Sequence, residues 1–90
     1  MYEWDEEKSQ RNLEERGFDF AYAARIFESD TLEWEDTRRD YGERRIVAIG
    51  CVQALTLTVV YTPRGDAVRI ISARRANRRE RRAYDQAIGR

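Results

Sequence analysis

Two hydrophobic rhythms divide this chain: a helical spacing of three and four up to about residue 28 and again after residue 76, with an alternation of two in between. Asp5 supplies a capping oxygen for a helix from about Glu6 to Arg16, and Gly17 stops it in the left-handed conformation that costs glycine least. This helix is poor in apolar residues. Leu13, helped by Trp4 just before the cap, is its core-facing side chain, while Lys8, Asn12 and Arg16 recur every four residues as a polar stripe. Asp19 caps a second helix through about Glu28, in which Phe20, Ala23, Ala24 and Phe27 follow the i, i+3, i+4, i+7 pattern and Phe18 staples the entry.

Strand signals follow. From Leu32 to Asp36, Leu32 and Trp34 alternate with Glu33 and Glu35, so one face is wet and Trp34 is expected to pack; Ile46 to Val52 is apolar on both faces, as in a central strand. Leu55 to Thr62 alternates, Pro63-Arg64-Gly65-Asp66 turns the chain, and Val68 to Arg74 completes the meander. In that last strand Val68, Ile70 and Ser72 share a face with Arg74, and Arg69, Ile71, Ala73 and Arg75 take the other. Asn77 with Glu80 three residues on forms a capping box for a final helix to about Ile88. The order predicts one α+β domain over residues 1–90: two N-terminal helices and a C-terminal helix on a curved antiparallel sheet of four or five strands, with Tyr2 to Trp4 as the candidate fifth, edge strand.

Composition supports a folded domain and narrows its chemistry. With 41% hydrophobic residues, five Gly and one Pro in 90, the chain is no disordered tail. Ile46 to Pro63 is uncharged for 18 residues, yet Gly50, Gln53, Thr56, Thr58, Thr62 and Pro63 interrupt it at the strand period, which excludes a membrane helix. The acidic start, Met1 to Asp5, has no apolar run behind it and predicts no signal peptide, and a single cysteine, Cys51, suits a reducing, cytoplasmic setting. The 17 bases and 17 acids cancel, but they are sorted: Met1 to Glu43 holds 14 acids and 6 bases, and Arg44 to Arg90 holds 3 acids and 11 bases. Sixteen bases are arginine, whose planar fork grips phosphate with two donors. No histidine and one thiol leave no His/Cys metal cluster and no Ser/His or Cys/His nucleophile, so no metal or other cofactor is expected.

Two segments resemble the BrnT toxins of bacterial type II toxin-antitoxin modules, whose fold is similar to that of the RelE/ParE ribonucleases. Glu3-Trp4-Asp5-Glu6 with Lys8, Asn12, Gly17, Phe20, Ala24 and Phe27 follows the family's opening W-D-x-x-K-x-x-x-N-x-x-K-H-G-x-x-F in spacing. Arg69 to Ala76, then Arg79-Glu80-Arg81 and Tyr84, follows its closing I-S-A-R-x-A-x-x-x-E-R-x-x-Y, and Arg45 to Gly50 and Val60-Tyr61-Thr62 also fit. One position departs: Arg16 stands where the family usually has histidine, and a guanidinium cannot serve as a general base. The resemblance implies a RelE-like fold and a small ribonuclease that inhibits translation. It implies a BrnA-like ribbon-helix-helix antitoxin as partner, with operator DNA contacted through the toxin-antitoxin complex.

RNA cleavage without metal runs by attack of a ribose 2′-hydroxyl on the adjacent phosphorus, and fixed guanidinium donors suit the charge that develops on the phosphoryl oxygens. Arg74 at a strand end is the first candidate, then Arg45 at the start of the neighbouring strand and Arg64 in the turn; each also reads as an ordinary salt-bridged arginine. Glu80 and Tyr84 are candidate proton-transfer groups, against a capping role for Glu80 and a core role for Tyr84. Lys8, Asn12, Tyr61, Arg78 and Arg81 are candidate substrate-binding residues. Arg78, Arg79, Arg81 and Arg82 of the last helix suit RNA backbone or antitoxin docking. Against the nuclease stand a catalytically silent module that docks an antitoxin-like partner and, more weakly, a direct DNA binder.

Overall fold

Asp5 Oδ1 accepts the Lys8 N–H at 3.1 Å, and Gly17, at φ 89°, returns its N–H to the Leu13 carbonyl, so helix α1 spans Glu6–Arg16 as the capping signals require. The structure is a computed structural model that describes residues 1–89. Its other elements are β1 (Tyr2–Trp4), α2 (Phe20–Ala23), β2 (Leu32–Glu35), β3 (Ile46–Val52), β4 (Leu55–Arg64), β5 (Ala67–Arg75) and α3 (Arg78–Ile88). Among the described residues no helix is long and apolar enough to cross a membrane.

The inward face of α1 is polar, which corrects the expectation for Leu13. Ser9 and Asn12 are buried, and Leu13 is 40% exposed. The cause is what the helix packs on. Asn12 Nδ2 donates to the Phe18 carbonyl and the Phe20 N–H donates to Ser9 Oγ, both at 2.9 Å, so α1 satisfies main-chain groups of the bend that follows it. The second N-terminal helix is also shorter than expected. Asp19 caps it through the Tyr22 N–H at 2.9 Å, but after one turn the chain tightens to a 3-10 helix over Ala24–Glu28. That segment lies directly on β3: a Cβ built on Gly50 would sit 2.8 Å from Ile26 Cβ, so only glycine admits this approach.

The five strands form one sheet in the order β1-β5-β4-β3-β2. It is mixed rather than antiparallel throughout, because β1 pairs in parallel with β5 while the other neighbours are antiparallel. The helical segments between β1 and β2 carry the chain from one edge of the sheet to the other, and such a crossover is what allows a parallel neighbour. A second correction concerns β5. The register with β4 shifts between Val60 and Tyr61, which face Ser72 and Ile70, so Ile71 is the extra residue of a bulge. Ile70 therefore turns to the core with Ala73 instead of sharing a face with Arg74.

Each sheet face has its own cover. On one, α1, α2 and the 3-10 turn enclose Phe18, Phe20, Ile26, Ala48, Leu57, Val59 and Ile70; on the other, α3 packs Tyr84 on Ile49 and Ala76, with Leu32, Cys51 and Ile88 around them. The second cluster is small, so α3 leaves part of its face open.

If α1 is held by its polar contacts, Asn12→Ala lowers stability in chemical denaturation by about 1–3 kcal/mol, the cost of stranding a buried carbonyl, whereas Leu13→Ala costs under about 1 kcal/mol. The reverse ranking would show that Leu13 anchors the helix.

Candidate functional site

The open part of the α3 face is a groove of about 270 Å³ between α3 and the loop after β2, and Trp34, Asp36, Arg38, Thr58, Arg74 and Glu80 line it. Pairing explains why strand residues meet there. Leu32, Ile49, Thr58 and Arg74 form one cross-strand row, and Trp34, Val47, Val60 and Ser72 form the next.

Arg74 Nη1 and Nη2 donate to Glu80 Oε1 and Oε2 at 2.7 and 2.8 Å, a bidentate fork across the junction of β5 and α3. Glu80 Oε1 also accepts the Thr58 hydroxyl at 3.1 Å and the Asn77 N–H at 2.9 Å, while Asn77 Oδ1 accepts the Glu80 N–H at 2.8 Å. The capping box and the ion pair thus share one carboxylate. The Arg74 fork above all, then the Asn77 N–H and the Thr58 hydroxyl, outweigh burial and pull the Glu80 carboxyl down to about 2. Bonding to Glu80 raises the Arg74 guanidinium, opposed by desolvation and by the charge of Arg38.

Arg38 repeats the arrangement from the other wall. Its Nε and Nη2 donate to Asp36 Oδ1 and Oδ2 at 2.9 Å each, its backbone N–H adds a bond at 3.1 Å, and the Tyr41 hydroxyl donates to Oδ2 at 3.0 Å. Asp36 is buried, whereas the Arg38 side chain is 81% exposed, so the carboxylate is the fixed end. These bonds, the Arg38 side chain first, hold the Asp36 carboxyl well below the usual carboxylate range against the opposing effect of burial. The groove therefore presents two guanidiniums, each oriented by an ionised acid, and an aromatic ring.

The sequence candidates do not converge. Arg74 and Glu80 belong to the groove, and the Glu80 carboxylate, held ionised at neutral pH, accepts from Arg74, the Thr58 hydroxyl and the Asn77 N–H. Tyr84 is 1% exposed, with its hydroxyl on the Asp30 carbonyl at 2.9 Å, so it anchors the core and does not meet solvent. Arg64 sits at the far end of the β4–β5 hairpin, 3.9 Å from Glu3. Arg45 stacks on Tyr41, 4.2 Å from the ring centroid, and pairs with Glu43; it steadies the Arg38 loop from behind. Tyr61 lies on the opposite sheet face, edge-on to Phe27, and its hydroxyl donates to Glu33 at 2.5 Å. Asn12 is committed to Phe18 as described, and Lys8 lines a separate shallow hollow with Arg11, Arg16 and Ser72. Arg78, Arg79, Arg81 and Arg82 are exposed on α3 and have no ion pair among the described residues.

Sequence reading missed Asp36, Arg38, Thr58 and the exposure of Trp34, which is 42% exposed on edge strand β2 instead of packed. The signal for the first pair was an acid closing a strand with an arginine two residues on, a spacing that suits a local fork. A larger hollow, about 390 Å³, lies on the helix-covered side with Leu13, Tyr22 and Leu55 in its walls; its guanidiniums, Arg16 and Arg75, have no carboxylate fork, so the smaller groove is the better-organised site. Among the described residues no group of three or more His, Cys, Asp or Glu is placed to hold a metal ion.

Because the folded Glu80 carboxyl lies below its ordinary 4.5, its stabilisation is present above that pH and fades as pH falls from about 4.5 towards 2. Acid titration of stability is expected to be shallower over that window in Glu80→Gln, which is also less stable at pH 7. An unchanged titration would show that the fork does not bind the fold together.

No curated protein matches the chain. The family model described as "Ribonuclease toxin, BrnT, of type II toxin-antitoxin system" matches residues 4–80, which takes in every residue lining the groove, Trp34, Asp36, Arg38, Thr58, Arg74 and Glu80 among them. With the match running over most of its length and across both arginine forks, the chain belongs to the BrnT family of ribonuclease toxins of type II toxin-antitoxin systems.

Proposed function

We propose that the groove cleaves RNA by intramolecular transesterification, with Arg38 and Arg74 as the phosphate-binding donors. The observation that carries this reading is the pair of guanidiniums opening on one hollow, each aimed by a bidentate carboxylate, in a member of a ribonuclease family. The ribose 2′-oxygen attacks phosphorus, the bond from phosphorus to the 5′-oxygen breaks, and the products are a 2′,3′-cyclic phosphate and a 5′-hydroxyl. The 2′-oxygen loses its proton to water, and the leaving 5′-oxygen takes a proton from water, so no net proton is gained or lost. Charge gathers on the non-bridging oxygens in the transition state. Donors already fixed in place stabilise it without reorganising, and losing one such donor costs on the order of 10²- to 10³-fold in rate.

In the cell this activity would inhibit translation in the cytoplasm, and a BrnA-like ribbon-helix-helix antitoxin would neutralise it. The exposed arginines of α3 suit an acidic antitoxin surface, and operator DNA is reached through that complex. A second reading, a silent module that only docks the antitoxin, draws on one observation: both groove carboxyls are held ionised, so neither is tuned to move protons near neutral pH.

Purified chain, freed of antitoxin and supplied with a chelator, is expected to cleave RNA to cyclic-phosphate and 5′-hydroxyl ends. Arg38→Ala and Arg74→Ala slow it about 10²-fold or more while Arg64→Ala does not. Absence of cleavage by wild type would favour the docking module, and full activity in Arg74→Ala would remove the groove from the chemistry.

A further inference from the structure

We infer that Trp34 forms a base-stacking subsite beside the two guanidiniums, and that the substrate is therefore single-stranded RNA with an unpaired base next to the bound phosphate. The inference rests on the groove being the RNA site.

Trp34 is out of place for a structural residue. It lies on the edge strand of the sheet and is 42% exposed; Tyr2, equally exposed on the opposite edge, stacks on Phe27 at 5.6 Å, whereas Trp34 has no ring or guanidinium stacked on it among the described residues. Its side of the sheet is settled by pairing: Trp34 opposes Val47, which opposes Val60, which opposes Ser72, one row from Arg74. The ring thus stands on the floor side of the groove. The fork of Arg38 follows four residues later in the chain, and the fork of Arg74 lies three strands away, about 14 Å at the usual spacing. The two walls of the hollow supply charge, and the floor supplies aromatic surface.

That combination matches the needs of a nucleotide better than those of an acidic protein segment. Phosphate takes the guanidinium donors, and a base takes the ring. A base can lie flat on an indole only when it is unstacked and unpaired, because a duplex keeps its base faces covered. Stacking tolerates all four bases, so the subsite favours single strands without naming a sequence. Arginines alone would not make this distinction.

The test uses the whole chain and a single-stranded oligonucleotide with 2′-O-methyl riboses, which cannot cleave. Binding is expected to quench tryptophan emission in the wild type, and Trp34→Ala is expected to weaken binding by roughly 5- to 150-fold, with Trp34→Phe restoring part of it. An abasic residue moved along the oligonucleotide provides the readout that a merely structural role would not move. At one position its loss of base costs the wild type affinity and costs Trp34→Ala none. Duplex RNA is expected to bind wild type and Trp34→Ala equally. If Trp34→Ala binds the single strand as tightly as wild type while Arg74→Ala binds it more weakly, the stacking subsite is wrong and the RNA groove stands. If wild type binds no single-stranded oligonucleotide, both fall.

Discussion

Glu80 is shared between two demands that a small domain cannot easily meet twice. Its carboxylate closes the capping box of α3 on the Asn77 N–H, and the same group takes the Arg74 fork and the Thr58 hydroxyl. One acid therefore ties β4, β5 and the start of α3 at a single point. Without it, the capping box of α3 would keep only the Asn77 side-chain bond and leave the Asn77 N–H without its acceptor, and the Arg74 guanidinium would lose the partner that sets its direction. The rest of the groove depends on this tie, because α3 forms one wall and Arg74 its cation.

The opposite wall solves the same problem with different means. The loop after β2 has no helix to hold it, so Asp36 is buried and collects bonds from Arg38 and Tyr41, while Arg45 stacks behind Tyr41 and gives its carbonyl to the Asp36 N–H at 2.7 Å. Arg38 is thus exposed and Arg74 half-buried, and each is fixed at its acid. Fixed donors are what a transition state with growing charge rewards, since little reorganisation remains to be done during the reaction. The sorting of charge along the chain also takes on a local meaning here. Acidic Asp36 from the first half and basic Arg74 from the second face one hollow, with Arg38 and Glu80 as their respective counter-charges.

Most elements were legible in the sequence because their causes are local. Asp5, Gly17, Asp19, Asn77 and Glu80 act within one turn of their own positions, and the alternation of Leu55 to Thr62 needs only the neighbouring strands. What stayed hidden has non-local causes. The parallel pairing of β1 depends on Val68 meeting the Met1 carbonyl from the far end of the chain, and the Ile71 bulge shifts β5 by one residue, which turns Ile70 to the other face. The polar inner face of α1 answers main-chain groups at Phe18 and Phe20, which hydrophobic periodicity does not register. Arg74 and Glu80 were readable as candidates from the closing motif. Arg38 was not, because nothing in its own segment tells that a loop more than thirty residues upstream will lie over the same row of the sheet.

The proposed chemistry requires Arg38 and Arg74 to act on one phosphate. A double-mutant cycle on kcat/KM for RNA cleavage tests it most directly, with Arg38→Ala, Arg74→Ala and the double variant compared in the same buffer. Shared action predicts a coupling of about 0.5–3 kcal/mol, so that the double variant loses less than the product of the two single losses. Losses that multiply without coupling would contradict the account, because they would mean that the two guanidiniums work at separate places.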